Sequence, residues 1–270
     1  MRVARRAASI WADVATVADI GQLHLTSPAM DGPHVRSAQR ALLHNPFGTF
    51  DPGTLDGIYG ERTAAAVRRA KYWMGYPEQR IDQICDGNLL ALLAEEQALP
   101  ASFKATRTRR LHRAQDTHLW GAAYEAAVSC VGDREAPPGS HRCEFSDWYG
   151  VPGPWCAMFM SWCYVQAGSA AFEPGRRYAY VPHLLADAQR GANHLSITRT
   201  PLTADLAVFD LDGDGIADHV GMFDRWLDGG ETKFQTIEGN VALSGEPNGG
   251  RVLQRERQRA QVFAFVHVRG

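Results

Sequence analysis

A cysteine, a histidine and a carboxylate or amide provide a nucleophile, a base and an orienting group for acyl transfer when a fold brings them together. The 270-residue sequence supplies these types in three stretches. The first is Pro152-Gly153-Pro154-Trp155-Cys156-Ala157-Met158-Phe159-Met160-Ser161-Trp162-Cys163-Tyr164. Two prolines and a glycine exclude helix before Trp155, and no breaker follows until Gly168. Cys156 is therefore expected in the first turn of a buried helix. That turn offers unpaired N–H groups and the positive end of the helix dipole, which both favour a thiolate. Cys163 lies about two turns deeper and reads as core.

The second stretch is Asp218-His219-Val220-Gly221, and the third is Ile237-Glu238-Gly239-Asn240. His219 opens one apolar strand and Glu238 closes the next. If these strands pair antiparallel, the start of the first lies beside the end of the second, next to Glu238 and Asn240. Either side chain can accept the imidazole N–H and fix its tautomer. Between the preceding strand and His219 runs Asp210-Leu211-Asp212-Gly213-Asp214-Gly215-Ile216-Ala217-Asp218. Its D-x-D-x-D-G spacing matches the first half of a calcium loop, with Asp210, Asp212, Asp214 and Asp218 as oxygen ligands. The twelfth position is Gly221 instead of a bidentate glutamate, so a structural calcium and a plain Asp/Gly turn stand as equal readings. The acyl-transfer chemistry itself requires no cofactor.

The elements that must position these residues fall in two parts. Residues 1–32 carry no assignment beyond a short helix from Trp11 to Ile20. Residues 33–97 read as a three-helix unit. Val35, Ala38 and Leu42 mark its first helix; Thr63, Val67, Ala70 and Met74 its second; Leu89, Leu90, Leu92 and Leu93 its third, capped by Asp86. Residues 98–117, with Lys104, Arg107, Arg109, Arg110 and Arg113, read as a linker or solvated connecting helix. Residues 118–270 begin with helices over Leu119–Val131, the cysteine helix and Pro182–Ala192. Period-two strands follow at Leu206–Phe209, His219–Phe223, Lys233–Glu238 and Val262–Val268. Helices first and an antiparallel meander afterwards give an α+β domain.

Composition bounds the partners. The formal net charge is −2, which gives no electrostatic case for nucleic acid. No apolar run is long enough to span a bilayer, so membrane insertion is not expected. Met1-Arg2-Val3-Ala4-Arg5-Arg6 is followed by Asp13 and Asp19 with no convincing cleavage site, so a secretory signal is rejected. The five cysteines fit a free reactive thiol better than a disulfide framework, with a Cys130–Cys143 bridge left open. No cysteine or histidine spacing suits zinc.

Two resemblances extend this reading. Val35…Ala38-Gln39…Leu42, Leu55-Asp56-Gly57-Ile58-Tyr59-Gly60-Glu61-Arg62-Thr63 and Ala66-Val67 resemble the peptidoglycan-binding domain 1 family. The Asp-Gly-x-Tyr-Gly-x-x-Thr core is its specific part, with Thr63 read as a helix cap. The resemblance implies binding of wall peptide stems or glycan, for which Tyr59, Tyr72, Trp73 and Tyr76 are candidate contacts. Trp148-Tyr149-Gly150, Pro154 to Phe159, Ser161-Trp162-Cys163, Asp218 to Gly221 and Ile237 to Asn240 together resemble the CHAP family of cysteine- and histidine-dependent amidohydrolases and peptidases. That resemblance implies a papain-like fold, Cys156 as nucleophile, His219 as base, and Glu238 or Asn240 as the third member. It also implies a cleft walled by Trp155 and Tyr149.

The expected function is a peptidoglycan hydrolase with bacterial cell wall as its partner. It resembles an endolysin made in the host cytoplasm and released by a separate membrane-permeabilising protein. The rival expectations are a non-catalytic wall-binding or virion structural protein, and a cysteine hydrolase of soluble amides.

Overall fold

The computed structural model describes residues 21–116, 118–172, 178–243 and 250–270. The helix expected at Trp11–Ile20 lies outside them. The chain divides into two compact units, residues 1–111 and 112–270.

In the first unit, α1 (Pro33–Leu43) starts on a proline and buries Val35, Ala38, Gln39, Ala41 and Leu42. The polar member of that face fixes the loop that follows. Gln39 Nε2 donates to Asp56 Oδ1, Ile58 O and Thr63 Oγ1, and Gln39 Oε1 accepts from Gly57 N. The Asp56-Gly57 turn is thus tied to α1 from inside, through both the nitrogen and the oxygen of a buried amide. Helix α2 (Glu61–Trp73) begins before Thr63, with Gly60 at its N-cap. Thr63 is therefore no cap, and its hydroxyl serves Gln39. Tyr59 is fully buried and donates to Gln83 O at 2.6 Å, which makes it core and corrects its expected role as a ligand contact.

Helix α3 (Gly87–Ala94) is capped by Asp86, whose Oδ1 accepts from Leu89 N at 2.8 Å. Two short strands, β1 (Gln22–Leu23) and β2 (Cys85–Asp86), pair antiparallel. They draw part of the unassigned segment 1–32 into this unit. Helix α4 (Ala101–Asp116) occupies the stretch expected as a linker. Phe103 and Arg110 are buried in the first unit's interior. Arg110 donates to Tyr72 O and Tyr76 O, and its guanidinium lies 3.9 Å from the Tyr72 ring centroid. The basic cluster hid this anchor, because a guanidinium can bury its stem and still satisfy its head on carbonyls.

The second unit packs helices against one antiparallel sheet. Its helices are α5 (His118–Ser129), α6 (Glu144–Tyr149), α7 (Cys156–Gln166) and α8 (Val181–Gln189). Its strands are β3 (Leu195–Thr198), β4 (Leu206–Phe209), β5 (His219–Trp226), β6 (Lys233–Val241), β7 (Arg251–Gln258) and β8 (Val262–Val268), in the order β3-β8-β4-β5-β6-β7. This is the expected α+β class with an antiparallel sheet, enlarged by β3 and β7. Alternation along the strands splits the side chains between two faces. Leu206, Val208, Val220, Met222, Ile237 and Val266 join the residues of α5, α7 and α8 in one core. Ala207, Phe209, Phe223, Phe234 and Phe265 form an aromatic cluster on the other face. Helix α7 is buried from Cys156 to Tyr164 on all sides, as a helix apolar all round must be.

Candidate active site

Cys156 is the first residue of α7 and is 3% exposed. Helix geometry leaves its N–H without an intrahelical acceptor, while Trp155 O already accepts from Phe159 N at 2.9 Å. The thiol faces the ring of His219, the first residue of β5, closely enough to favour the charged imidazole. All five cysteines are buried and none is in a disulfide, so Cys130 and Cys143 form no bridge. Cys163 lies wholly inside the core, as expected for its place in the helix.

The strand register brings the third member to His219. Glu238 on β6 faces Gly221 on β5, two residues along from His219 and on the same side of the sheet. A Cβ at Gly221 would lie 2.5 Å from Glu238 Cγ. The glycine therefore leaves the lane through which Glu238 reaches His219. His219 Nε2 donates to Glu238 Oε2 at 2.9 Å, which leaves Nδ1 as the ring nitrogen toward Cys156. Beneath the imidazole, the Phe209 ring centroid lies 6.0 Å away.

A fourth residue completes this row. Arg257 on β7 donates from Nε to Glu238 Oε1 at 2.7 Å and from Nη2 to Oε2 at 2.6 Å, a bidentate pair. Thr236 Oγ1 also donates to Oε1, and the guanidinium lies over the Phe209 ring at 5.2 Å. Sequence reasoning missed Arg257. β7 reads Arg251-Val252-Leu253-Gln254-Arg255-Glu256-Arg257-Gln258, and its charges hide the strand. The available signal was the demand that a carboxylate buried beside a histidine have a cationic partner.

The charges follow from these contacts. Burial opposes ionisation of Glu238, but its hydrogen bonds from Arg257 and His219 outweigh that and hold it down at about 2. Burial likewise opposes a charge on His219, but its contacts with Cys156 and Glu238 prevail and hold it up at about 10. At neutral pH the row is carboxylate, imidazolium and guanidinium, with the cysteine sulfur at its end. Such an arrangement can deliver a sulfur nucleophile to a carbonyl and a proton to the departing group.

The remaining expected residues fall in different places. Asn240 follows Glu238 at a break in the β6–β7 register, with φ +59, and among the described residues no hydrogen bond reaches its Oδ1. His219 is joined to Glu238, not to Asn240. Gly239 lets β6 close on α7, since a Cβ there would lie 2.7 Å from Trp155 and 2.9 Å from Phe159. Trp155 is fully buried against Phe145 and Phe159, so it supports the site from within and does not wall an open cleft. Tyr149 is half-buried beside Trp148.

The aspartate loop closes on itself between β4 and β5. Carboxylate oxygens of Asp210, Asp212 and Asp218 lie within 4.8 Å of one another. Asp210 accepts from Gly213 N and Gly215 N, and Asp218 from Leu211 N and Asp212 N. Asp214 accepts from Ile216 N and stands outside that group. The three converging carboxylates suit a hard cation such as calcium. Gly221, at the twelfth position, is committed to β5 opposite Glu238.

Residues 148–240 match the profile of the family described as CHAP domain. The match supports a cysteine- and histidine-dependent amidase or peptidase of the peptidoglycan-hydrolase kind. No curated protein and no solved structure matches the chain. The matched stretch contains Cys156, His219, Glu238 and Asn240, and ends before Arg257.

Proposed function

We propose that the second unit hydrolyses an amide bond of bacterial peptidoglycan through a thioester on Cys156. The observation that carries this reading is the continuous row from Cys156 through His219 to Glu238. Sγ attacks the carbonyl carbon, and the oxyanion takes a hydrogen bond from the Cys156 backbone N–H. The C–N bond then breaks as His219 gives its proton to the departing amine. Water adds to the thioester while His219 takes up a proton, and the thiolate leaves. Glu238 keeps the imidazole in the productive tautomer and offsets its charge throughout. Asn240, beside it, is kept for contact with substrate.

The first unit is proposed to hold the enzyme on the wall. Asp210, Asp212 and Asp218 are proposed to hold a structural calcium that steadies the loop leading to His219. The whole is read as endolysin-like, reaching its substrate with the help of a separate membrane-permeabilising protein.

The test is incubation of wild type and Cys156→Ala with purified peptidoglycan, followed by mass spectrometry of the soluble products. Free intact peptide stems identify an amidase; cut stems or bridges identify an endopeptidase. Products that persist with Cys156→Ala remove the nucleophile. An absence of wild-type products across several wall chemotypes favours a wall-binding protein or a soluble amide substrate.

A further inference from the structure

The first unit contains a polar pocket of about 90 Å³, lined in part by Lys71, Tyr76, Arg80, Asp82, Asp86 and Asn88. Two cations and two carboxylates around so small a space are unusual unless they pair off, and here they do so only in part. Lys71 is buried and bonded to Asp82 Oδ1, which also accepts from Ile84 N. Asp86 Oδ1 caps α3. Each carboxylate thus commits one oxygen to the fold, and among the described residues no hydrogen bond reaches Oδ2 of either.

Arg80 lies over the Tyr76 and Phe103 rings at 5.4 and 5.7 Å and has no carboxylate partner among the described residues. The Tyr76 hydroxyl is the most telling group. Tyr76 is 2% exposed, and among the described residues no hydrogen bond reaches its oxygen. Burial, and after it the negative charge of Asp86, push this hydroxyl up to about 12, while Arg80 acts the other way. It therefore stays a neutral donor amid the pocket's charges. An unpaired buried hydroxyl costs on the order of 1–3 kcal/mol unless something meets it.

We infer that this pocket binds a small zwitterionic peptide, with a free ammonium at one end and a free carboxylate at the other. The free oxygens of Asp82 and Asp86 receive the ammonium. Arg80 and the Tyr76 hydroxyl donate to the carboxylate, and the Asn88 amide is available to the peptide link between the two charged ends. The inference rests on the wall-binding reading only for the natural source of such a group, a peptide of the wall.

The test is calorimetric titration of the full chain carrying Cys156→Ala with alanyl-alanine, its N-acetyl form and its C-terminal amide. Alanyl-alanine is expected to bind with a Kd on the order of 1 mM, each blocked form about tenfold more weakly. Tyr76→Phe should weaken the free dipeptide about threefold to tenfold without lowering the melting temperature, because the lost hydroxyl has no partner among the described residues. Arg80→Gln should abolish the preference for the free carboxylate over the amide. Equal binding of free and blocked dipeptides, or no saturable heat at tens of millimolar, overturns the inference. Wall sedimentation of the same protein is scored separately. Sedimentation without dipeptide binding overturns the pocket alone, whereas dipeptide binding without sedimentation overturns only the wall-binding reading.

Discussion

Arg257 grips both oxygens of the fully buried Glu238 carboxylate, at 2.7 and 2.6 Å. Removing one partner of a buried pair leaves the other charge uncompensated, at a cost of roughly 3–5 kcal/mol. Arg257→Met should therefore lower the melting temperature sharply. Arg257→Lys, which keeps the charge but not the fork, should fold better and still lose about ten- to a hundredfold in kcat through a misoriented imidazole. The sign of the pH effect follows from Glu238, held at about 2. Its stabilisation is present above the unfolded value, near 4.5, and is lost as pH falls through 2. Weakening Arg257 raises that pKa, so the acid limb of kcat/KM and the acid loss of stability both move to higher pH. A profile that keeps its shape in Arg257→Lys would show that the guanidinium is packing only.

Gly221 is predicted to be essential for a reason of space. A methyl group there would sit 2.5 Å from Glu238 Cγ. Gly221→Ala should push Glu238 off His219 and lower kcat by at least about tenfold, with a stability cost of roughly 1–3 kcal/mol. Circular dichroism establishes whether the fold persists. Wild-type turnover in a folded Gly221→Ala protein would mean that Glu238 is not the orienting residue.

His219 is held up at about 10 by its contacts with Cys156 and Glu238, against burial. A raised histidine pKa stabilises the fold below the unfolded value, near 6.5, and that contribution is lost as pH rises through 10. Cys156→Ala removes the first of the two supporting contacts. The His219 ring, followed by nitrogen-detected NMR, should then titrate at lower pH than in wild type. An unmoved titration would break the link between the thiol and the ring.

Asn240 is predicted to be separable from the imidazole. Its positive φ makes Asn240→Gly tolerable and Asn240→Ala strained by about 1 kcal/mol. With Glu238 as the partner of His219, Asn240→Gly should leave the pH profile of kcat unchanged and act through KM. A shifted profile would return Asn240 to the orienting role.

Calcium is best tested on the wild-type chain. Asp210→Ala removes acceptors for Gly213 and Gly215 and destabilises the loop with or without an ion. Melting temperature measured after chelation and again after adding calcium should rise by a few degrees if the loop is loaded, since ligand binding stabilises by mass action. A flat titration leaves a plain turn.

The row of Cys156, His219 and Glu238 was legible in part because its parts are local. Proline and glycine before Cys156 dictate where α7 begins, and the antiparallel pairing of two apolar strands brings Glu238 to His219. Arg257 was not legible. Its strand alternates, but with glutamine and glutamate on the exposed positions and arginines on the half-buried ones, so no apolar period marks it. Tyr59 and Trp155 misled for the opposite reason: aromatic residues near motif glycines look like ligand contacts, yet the glycines serve turns and close packing, and the rings fill the core. Arg110 was lost among exposed basic neighbours because its acceptors are carbonyls from another helix's end, which no pattern within its own segment reveals.

One feature of the sheet bears on how the protein comes into being. Strand β8 follows every other strand in sequence yet pairs with both β3 and β4 in the sheet's interior. During synthesis, β3 and β4 have no common neighbour until residues 262–268 have left the ribosome. Non-local pairings of this kind form late and slowly. A growing chain thus holds Cys156, His219 and Glu238 before it holds a finished sheet to align them, and any activity of the row should emerge only once β8 has joined β3 and β4.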